Sequence, residues 1–475
     1  MTLRDLVEPA RMERVAVAGP VARLRAVLVA LADAGVFEPE RPQGGTGPAV
    51  RALERLRRRG SGAEPPAVTT LETPDLDLLE RAGDVAGLAG EAELERVRAA
   101  AVDDGAVAAL AGWCPASAVD RLGEVLAPHG GAVVRLKPPR GSQPPTQLDA
   151  AGPMGAFQPL VDTYGTVPYA DLNPSVVAGL AYVAMFGMMF GDVGQGVLLL
   201  SAGIGLWLAR ADRFAPFARF HWAAPFVIGA ALASIGFGFA YGEAFGPTGL
   251  VPVLWARPVD EATTLLAVAV AVGAALLSLG YVLGSVNRWR EGGAVRSLVA
   301  LSGIAGGALY LGLGVVGLGW YRHSLALALF GTVLAAVGGC LGYLGLVLEA
   351  GGRAAGAAQA GIEMFDSVMR LGTNTVSFAR LAAFGLTHAA LGAIVWTGAS
   401  ALWGRGSAIG YVGAGAVFLV GNAITFALEA LVAAVQALRL EYYELFSRVF
   451  AGEGRAFRPW HVPVRGPEEA PCLPG

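Results

Sequence analysis

Arg380 stands in TNTVSFARLAAFGLTHAALGAIVW (373–396), a stretch otherwise apolar enough to lie inside a membrane. A guanidinium at the centre of a spanning helix costs about 2.5–3.5 kcal/mol on insertion scales, so its presence calls for a task. Asp366, Thr373, Arg380 and Thr387 recur at intervals of seven, with Ser377 three before Arg380 and His388 eight after it. At 3.6 residues per turn this spacing keeps the polar groups on one helical face. From Asp366 to Arg380 the rise is about 21 Å, most of a hydrocarbon core. A second stripe follows in GNAITFALEALVAAVQALRLEYYELFSRVF (421–450), where Asn422, Thr425, Glu429, Gln436, Arg439 and Tyr443 keep 3–4 spacing with one apolar gap.

Polar groups strung along a spanning face suit a proton or ion path, because each hop needs a donor or acceptor within reach. A guanidinium keeps its proton, so neither arginine can relay one. It can attract a carboxylate, favour the ionised form of that carboxylate, and block a straight leak. Two guanidiniums do not neutralise each other; both need an acidic partner, and the intramembrane acids sit a turn or more away. The competing structural reading is an ion pair that merely ties helices together. Two aligned stripes flanked by Asp366, His388, Glu429 and Gln436 favour the path.

Such stripes require long membrane helices. From Pro174 onward the expected spans are 174–190, 193–209, 222–240, 263–286, 297–318, 324–349, about 362–403 and about 408–447. Only Gly191-Asp192 separates the first two, which could form one bent helix. The last two far exceed the roughly 20 residues that cross a bilayer upright, so they must tilt or extend out of it. Loops on the N-terminal side carry Arg210, Arg213 and Arg219, then Arg288, Arg290 and Arg296, then Arg353. Opposite loops carry Asp192, Arg257 beside Asp260 and Glu261, Arg322 and Arg405. The positive excess predicts both termini in the cytoplasm. MTLRDLVEPARMERVAVAG, with no apolar core of signal-peptide length, agrees.

Charge is dense up to about residue 140. RVAVAGPVARLRAVLVALADAGV (14–36) reads as strand, turn and amphipathic helix, and residues 106–136 repeat the pattern around Cys114-Pro115. Two small α/β lobes joined by short helices are expected, with a single compact α/β domain as the alternative. The fold class is thus mixed: an α/β N-terminal cytoplasmic domain (1–148), a Pro-rich linker and membrane-entry segment (149–173), an all-α polytopic membrane domain of about eight helices (174–450) and a cytoplasmic tail (451–475).

Composition narrows the function. Charged residues make up 15 % of the chain, against about 25 % for globular domains, and the net charge of −3 points to no nucleic-acid partner. Cys114, Cys340 and Cys472 are far apart without metal-type spacing and read as inert thiols; no cofactor is implied. Lys137, the sole lysine, lies in LKPPR, which cannot form a GxxxxGK[ST] phosphate loop, so nucleotide hydrolysis of that kind is excluded. Scarce lysine beside abundant Ala, Arg and Gly suggests a high-GC prokaryotic genome, hence the plasma membrane. Asp192 is expected to cap a helix or turn a hairpin, and Glu243 to be either a loop contact or a vestibule lining. Glu441 and Glu444 are placed at the membrane interface, and Trp255, Trp320, Trp403 and Trp460 fit interfacial anchors.

SFARLAAFGLTHAAL resembles the arginine-bearing helix of the a/I subunit of V-type and A/V-type rotary ATPases, and LEALVAAVQALRLEYYELFSRVFAGEGRAFRPW resembles that family's last helix and tail. FQPLVDTYGTVPYADLNPS with MFGMMFGDVGQGVLLL (157–200) is similar to its membrane entry and first hairpin, and SIGFGFAYGEAFG (234–246) to its third-helix block. The resemblance covers nearly all of 157–460 in the family's order; GWCPASAVDRLGEVL and PPTQL are weaker echoes.

What the resemblance implies is a stator whose two long tilted helices face a rotating proteolipid c/K ring. The positions matching Arg380 and Arg439 would draw the ring carboxylate and make it release its proton. Glu429 and His388 would line the non-cytoplasmic half-channel, Asp366 the cytoplasmic one, with Gln436, Ser377 and Thr373 on the same stripes. The soluble part would meet peripheral-stalk E/G-type subunits and the central-shaft collar d/C-type subunit. This sequence departs from the pattern in its shorter soluble part, in Gln195 where His or Tyr is common, and in Arg370, which could pair with Asp366. A stand-alone secondary transporter or channel is the alternative; it predicts matching halves, which are not seen. A purely structural membrane scaffold is a third reading.

Overall fold

The computed structural model describes residues 8–40, 47–59, 66–139, 141–148, 157–208, 221–351, 354–449 and 454–465. Arg210, Arg213, Arg219, Arg353, Cys472 and part of the Pro-rich linker lie outside these residues. The chain divides into a unit of residues 9–147 with 454–475 and a unit of residues 1–8 with 148–453.

The first unit contains β1 (Met12–Pro20), α1 (Leu24–Ala34), β2 (Glu38–Pro39), α2 (Pro48–Arg59), α3 (Leu76–Ala82), α4 (Val85–Ala99), β3 (Val102–Asp103), β4 (Val107–Pro115), α5 (Val119–Leu126) and β5 (Ala132–Leu136). Alternation in MERVAVAGP buries Val15 and Val17 on one face of β1, as a half-buried strand requires. The sheet order is β2-β4-β1-β5, with β3 on β4. β1 pairs antiparallel with β4 and with β5, and β2 pairs antiparallel with β4. In β1-α1-β2 the two strands therefore run parallel with β4 between them, and in β4-α5-β5 with β1 between them. These are two split βαβ units, each holding a strand of the other. The expected two lobes are thus one sheet, because neither pair of strands has a neighbour without the other unit.

Helices α1 and α5 cover this sheet with Val27, Leu28, Leu31, Leu122 and Leu126, while α2–α4 form a small satellite core around Leu53, Leu79 and Leu88. The described part of the tail, 454–465, is built into this unit. Trp460 and Val462 join the sheet's core, Trp460 N donates to Phe37 O (2.8 Å), and Arg465 pairs with the N-cap Asp84 at 2.5 Å. Trp460 is therefore no interfacial anchor; Trp255, Trp320 and Trp403 are exposed. Cys114 is fully buried, and burial pushes its thiol up to about 12, so it is inert at neutral pH.

The second unit is helical: α6 (Gln158–Tyr164), α7 (Ser175–Met189), α8 (Val193–Leu208), α9 (Ala224–Tyr241), α10 (Ala262–Val299), α11 (Ile304–Tyr321), α12 (Leu325–Glu349), α13 (Ala354–Ser377), α14 (Ala379–Trp403) and α15 (Ala408–Leu440). A π turn, Glu441–Phe446, and Ser447–Val449 follow. Among the described residues, six helical segments are long and apolar enough to cross a membrane, with α13–α14 counted as one of 49 residues, and α7 and α8 are shorter apolar helices.

The first two spans form a hairpin rather than a bent helix. Gly187 of α7 abuts Ala233, and Gly196 of α8 abuts Ser234 and Ile235, so both helices meet the same level of α9. A side chain at Gly187 would collide with the Ala233 backbone at 2.7 Å, which is why the turn can be this tight. The fifth span also shifts: residues 297–299 belong to α10, which breaks at Gly292-Gly293 (φ +78° at Gly293), and α11 begins at Ile304. Entry and exit of the chain adjoin. Tyr442 Oη donates to Leu160 O (3.1 Å), and buried Asn287 accepts from Leu172 N (3.0 Å) and donates to Val449 O (3.2 Å).

Beside this junction Asp171 is fully buried, and neither of its oxygens meets a donor. Burial, and then the neighbouring Glu291 carboxylate, push Asp171 up to about 7 against the pull of Arg288 and Arg290. A raised native value means that the folded chain holds a proton the unfolded chain has lost between about pH 4 and 7. Stability from this group is therefore full below pH 4 and falls as pH rises to 7, by about 1.4 kcal/mol per pH unit. Asp171→Asn should flatten this decline and raise the melting temperature of the detergent-solubilised chain at pH 8. An unchanged pH slope would refute the assignment.

Candidate functional site

The α14–α15 pair carries the two stripes. His388 meets Glu429, Val395 meets Gly421, and Leu402 meets Gly410, so the helices run antiparallel. Two turns back from His388 along α14, this register brings Arg380 to the level of Gln436 and Arg439. Phe378 interrupts the long helix two residues before Arg380, with Phe378 N donating to Thr375 O (3.3 Å). Its ring is buried in the notch left by Gly273 of α10, which fixes the direction in which Arg380 leaves the helix.

Two polar clusters result, about 12 Å apart along α14. In the first, His388 Nδ1 contacts Glu429, and His388 is buried against the Phe190 ring. Asp192, Glu243 and His388 bring side-chain ligand atoms within 4.8 Å of one another, all three residues buried. Asp192 does cap α8: Oδ1 accepts from Gln195 N (2.8 Å) and Phe245 N (2.9 Å), and Oδ2 from Gly246 N (2.9 Å). These bonds lock the hairpin turn to the loop after α9. Glu243 proves to be part of this cluster and not only a loop contact. Gln195 and Asn422 extend it through Nε2 to Oδ1 at 3.4 Å.

The second cluster surrounds Glu444. This carboxylate is buried and feels Ser377 and the charges of Arg380, Arg448 and Arg439. Arg380 is half-buried and Arg439 exposed. The acidic partner that both arginines need is therefore partly supplied within the chain. Glu444 was expected at the membrane interface. The π turn changes its helical spacing, because i→i+5 bonding widens the turn, and such bulges recur at functional sites. Glu441, likewise expected at the interface, is fully buried with no donor to either oxygen. EYYELF by itself signals only amphipathic helix.

The remaining candidates are not drawn into either cluster. Asp366 and Thr373 are exposed; Asp366 pairs with Arg370, as the unusual arginine suggested, and Thr373 donates to carbonyls of its own helix. Gln436 lies at the level of Arg380, its Oε1 buried without a donor.

The profile of the V-type ATPase 116kDa subunit family matches residues 99–248. Beyond that stretch, the A-type ATP synthase subunit I of Pyrococcus horikoshii is 29 % identical over 373 residues, covering 74 % of this chain and 53 % of that protein. The subunit of the same name from Halobacterium salinarum is 28 % identical over 393 residues, or 67 % of this chain and 51 % of its own length. Over most of its length the chain is similar to a/I subunits of V/A-type ATPases. Its match to the Dictyostelium discoideum vacuolar proton translocating ATPase 100 kDa subunit is more local, 34 % over 102 residues and 20 % of this chain. The chain spans about half the length of the archaeal relatives it matches. Within it, the hairpin turn at Asp192 and the block ending at Glu243 both lie inside the matched profile.

Proposed function

We propose that this chain is the stationary ion-conducting subunit of a rotary ATPase in a prokaryotic plasma membrane, with both termini cytoplasmic. The observation that carries the reading is the pair of polar clusters on α14–α15, separated by about 12 Å with Arg380 and Arg439 at the edge of one of them. Asp192, Glu243, His388 and Glu429 form the non-cytoplasmic half-channel for H+ or Na+. Asp366, Thr373 and Ser377 line the route from the cytoplasmic face. Between these routes the arginines hold the barrier and draw a carboxylate on a rotating membrane partner into its ionised form. Gln436 supplies an acceptor at the level of Arg380. The α/β unit anchors the subunit to peripheral-stalk and central-collar subunits. The exposed face of α15 suits an apolar moving neighbour: Leu428, Leu431 and Val435 lead along it to Arg439.

A cross-link tests the partner. With exposed Cys340 replaced, Val435→Cys in the purified native complex should join by a short bis-maleimide to a small membrane subunit carrying a matching cysteine. Efficient cross-linking should stop ATP-driven transport. Failure of every ring position to react would refute the placement of this face.

A further inference from the structure

We infer that Asp192, Glu243 and His388 form a binding site for a divalent transition-type cation such as Zn2+. Three carboxylates, those of Asp192, Glu243 and Glu429, crowd one imidazole in a buried space, and the charge of Arg257 also reaches Glu243. Buried like charges in such excess call for a cation. The free valences converge as a metal site needs. Glu243 is 5 % exposed, and its Oε2 has no hydrogen-bond partner. Asp192 Oδ2 accepts a single N–H and keeps its second acceptor position. Glu429 holds His388 at Nδ1, which leaves Nε2 to bind.

That carboxylate–imidazole–metal order is the usual support for a zinc-bound histidine. Tetrahedral zinc with bonds near 2.0–2.1 Å sets its ligand atoms about 3.4 Å apart, so atoms now within 4.8 Å close by at most about 1.4 Å. One imidazole with two carboxylates selects Zn2+ or its neighbours over Mg2+ and Ca2+, which take oxygen alone. The fourth position stays open to water. Glu429, whose side chain is 14 % exposed against 5 % for His388, is the member nearest the surface and marks the way in.

The site stands on this geometry; only its consequence for transport rests on the half-channel reading. The test uses the full chain, metal-free and without a polyhistidine tag, titrated with Co2+ and Zn2+ in detergent. One Co2+ per chain should bind with the intense visible bands of tetrahedral coordination, and Zn2+ should displace it. Glu243→Gln and His388→Gln should each weaken binding at least tenfold, whereas His461→Gln leaves it unchanged. Should either variant lose its melting transition, X-ray absorption on the zinc-loaded wild type decides, with one imidazole, oxygen ligands and no sulfur expected. Wild-type affinity in both variants, or a sulfur or multi-imidazole shell, would overturn the site. Zinc applied from the non-cytoplasmic side should also slow transport by the intact complex; binding without slowing would count against the half-channel and leave the site standing.

Discussion

Arg380→Ala should abolish ATP-driven ion transport in the reconstituted complex while the complex still assembles. A guanidinium about 4 Å from a carboxylate is worth about 4 kcal/mol at an effective dielectric of 20, or nearly a thousandfold in the population of the ionised partner. Transport should accordingly drop at least a hundredfold, read by quenching of a pH-sensitive dye or by uptake of labelled Na+. Arg380→Lys should recover little of it, since lysine keeps the charge but loses the planar fork. The role of Glu444 can be separated in the same assay. It is buried and feels the charges of Arg380, Arg448 and Arg439, so Glu444→Gln should weaken the hold on the arginines and reduce transport without abolishing it. Normal pumping in Arg380→Ala would end the barrier hypothesis and revive the reading of the arginines as helix ties.

The second large effect is expected at Glu429. Glu429→Gln removes the carboxylate that orients buried His388 and breaks the chain of acceptors running to Glu243 and Asp192. An unpaired buried polar group costs about 1–3 kcal/mol, so a few degrees should be lost in thermal melting. Transport should fall at least tenfold, and Glu429→Asp, shorter by one methylene, should retain part of it. A Glu429→Gln complex that melts lower yet transports at the wild-type rate would make the pair structural and refute the half-channel. A chain that moves ions by itself, without other subunits, would instead favour the stand-alone transporter.

Much of this was legible in residue order because helical periodicity is local. The spacing of seven through Asp366, Thr373 and Arg380, and the 3–4 spacing from Asn422 to Arg439, located the two stripe helices before any contact was known. The resemblance placed His388 and Glu429 on one half-channel, but their contact appeared only in the packed helices. The α/β character of the N-terminal part was also readable, since strand alternation and amphipathic helices are set within a few residues.

Tertiary structure alone decided which distant groups share a space. Asp192 and Glu243 belong to one cluster because Gly187, Gly196 and Gly238 let three helices approach closely, a property of surfaces rather than of spacing. Glu444 reached the arginines through a π turn that no local pattern announces. The two split βαβ units interleaved because each one's free strand edges are completed by the other, and strand order is a long-range choice. The sequence by itself determined what each helix could offer. Packing determined that the offers meet: three carboxylates around His388 at one level, and an acid near two arginines at the other.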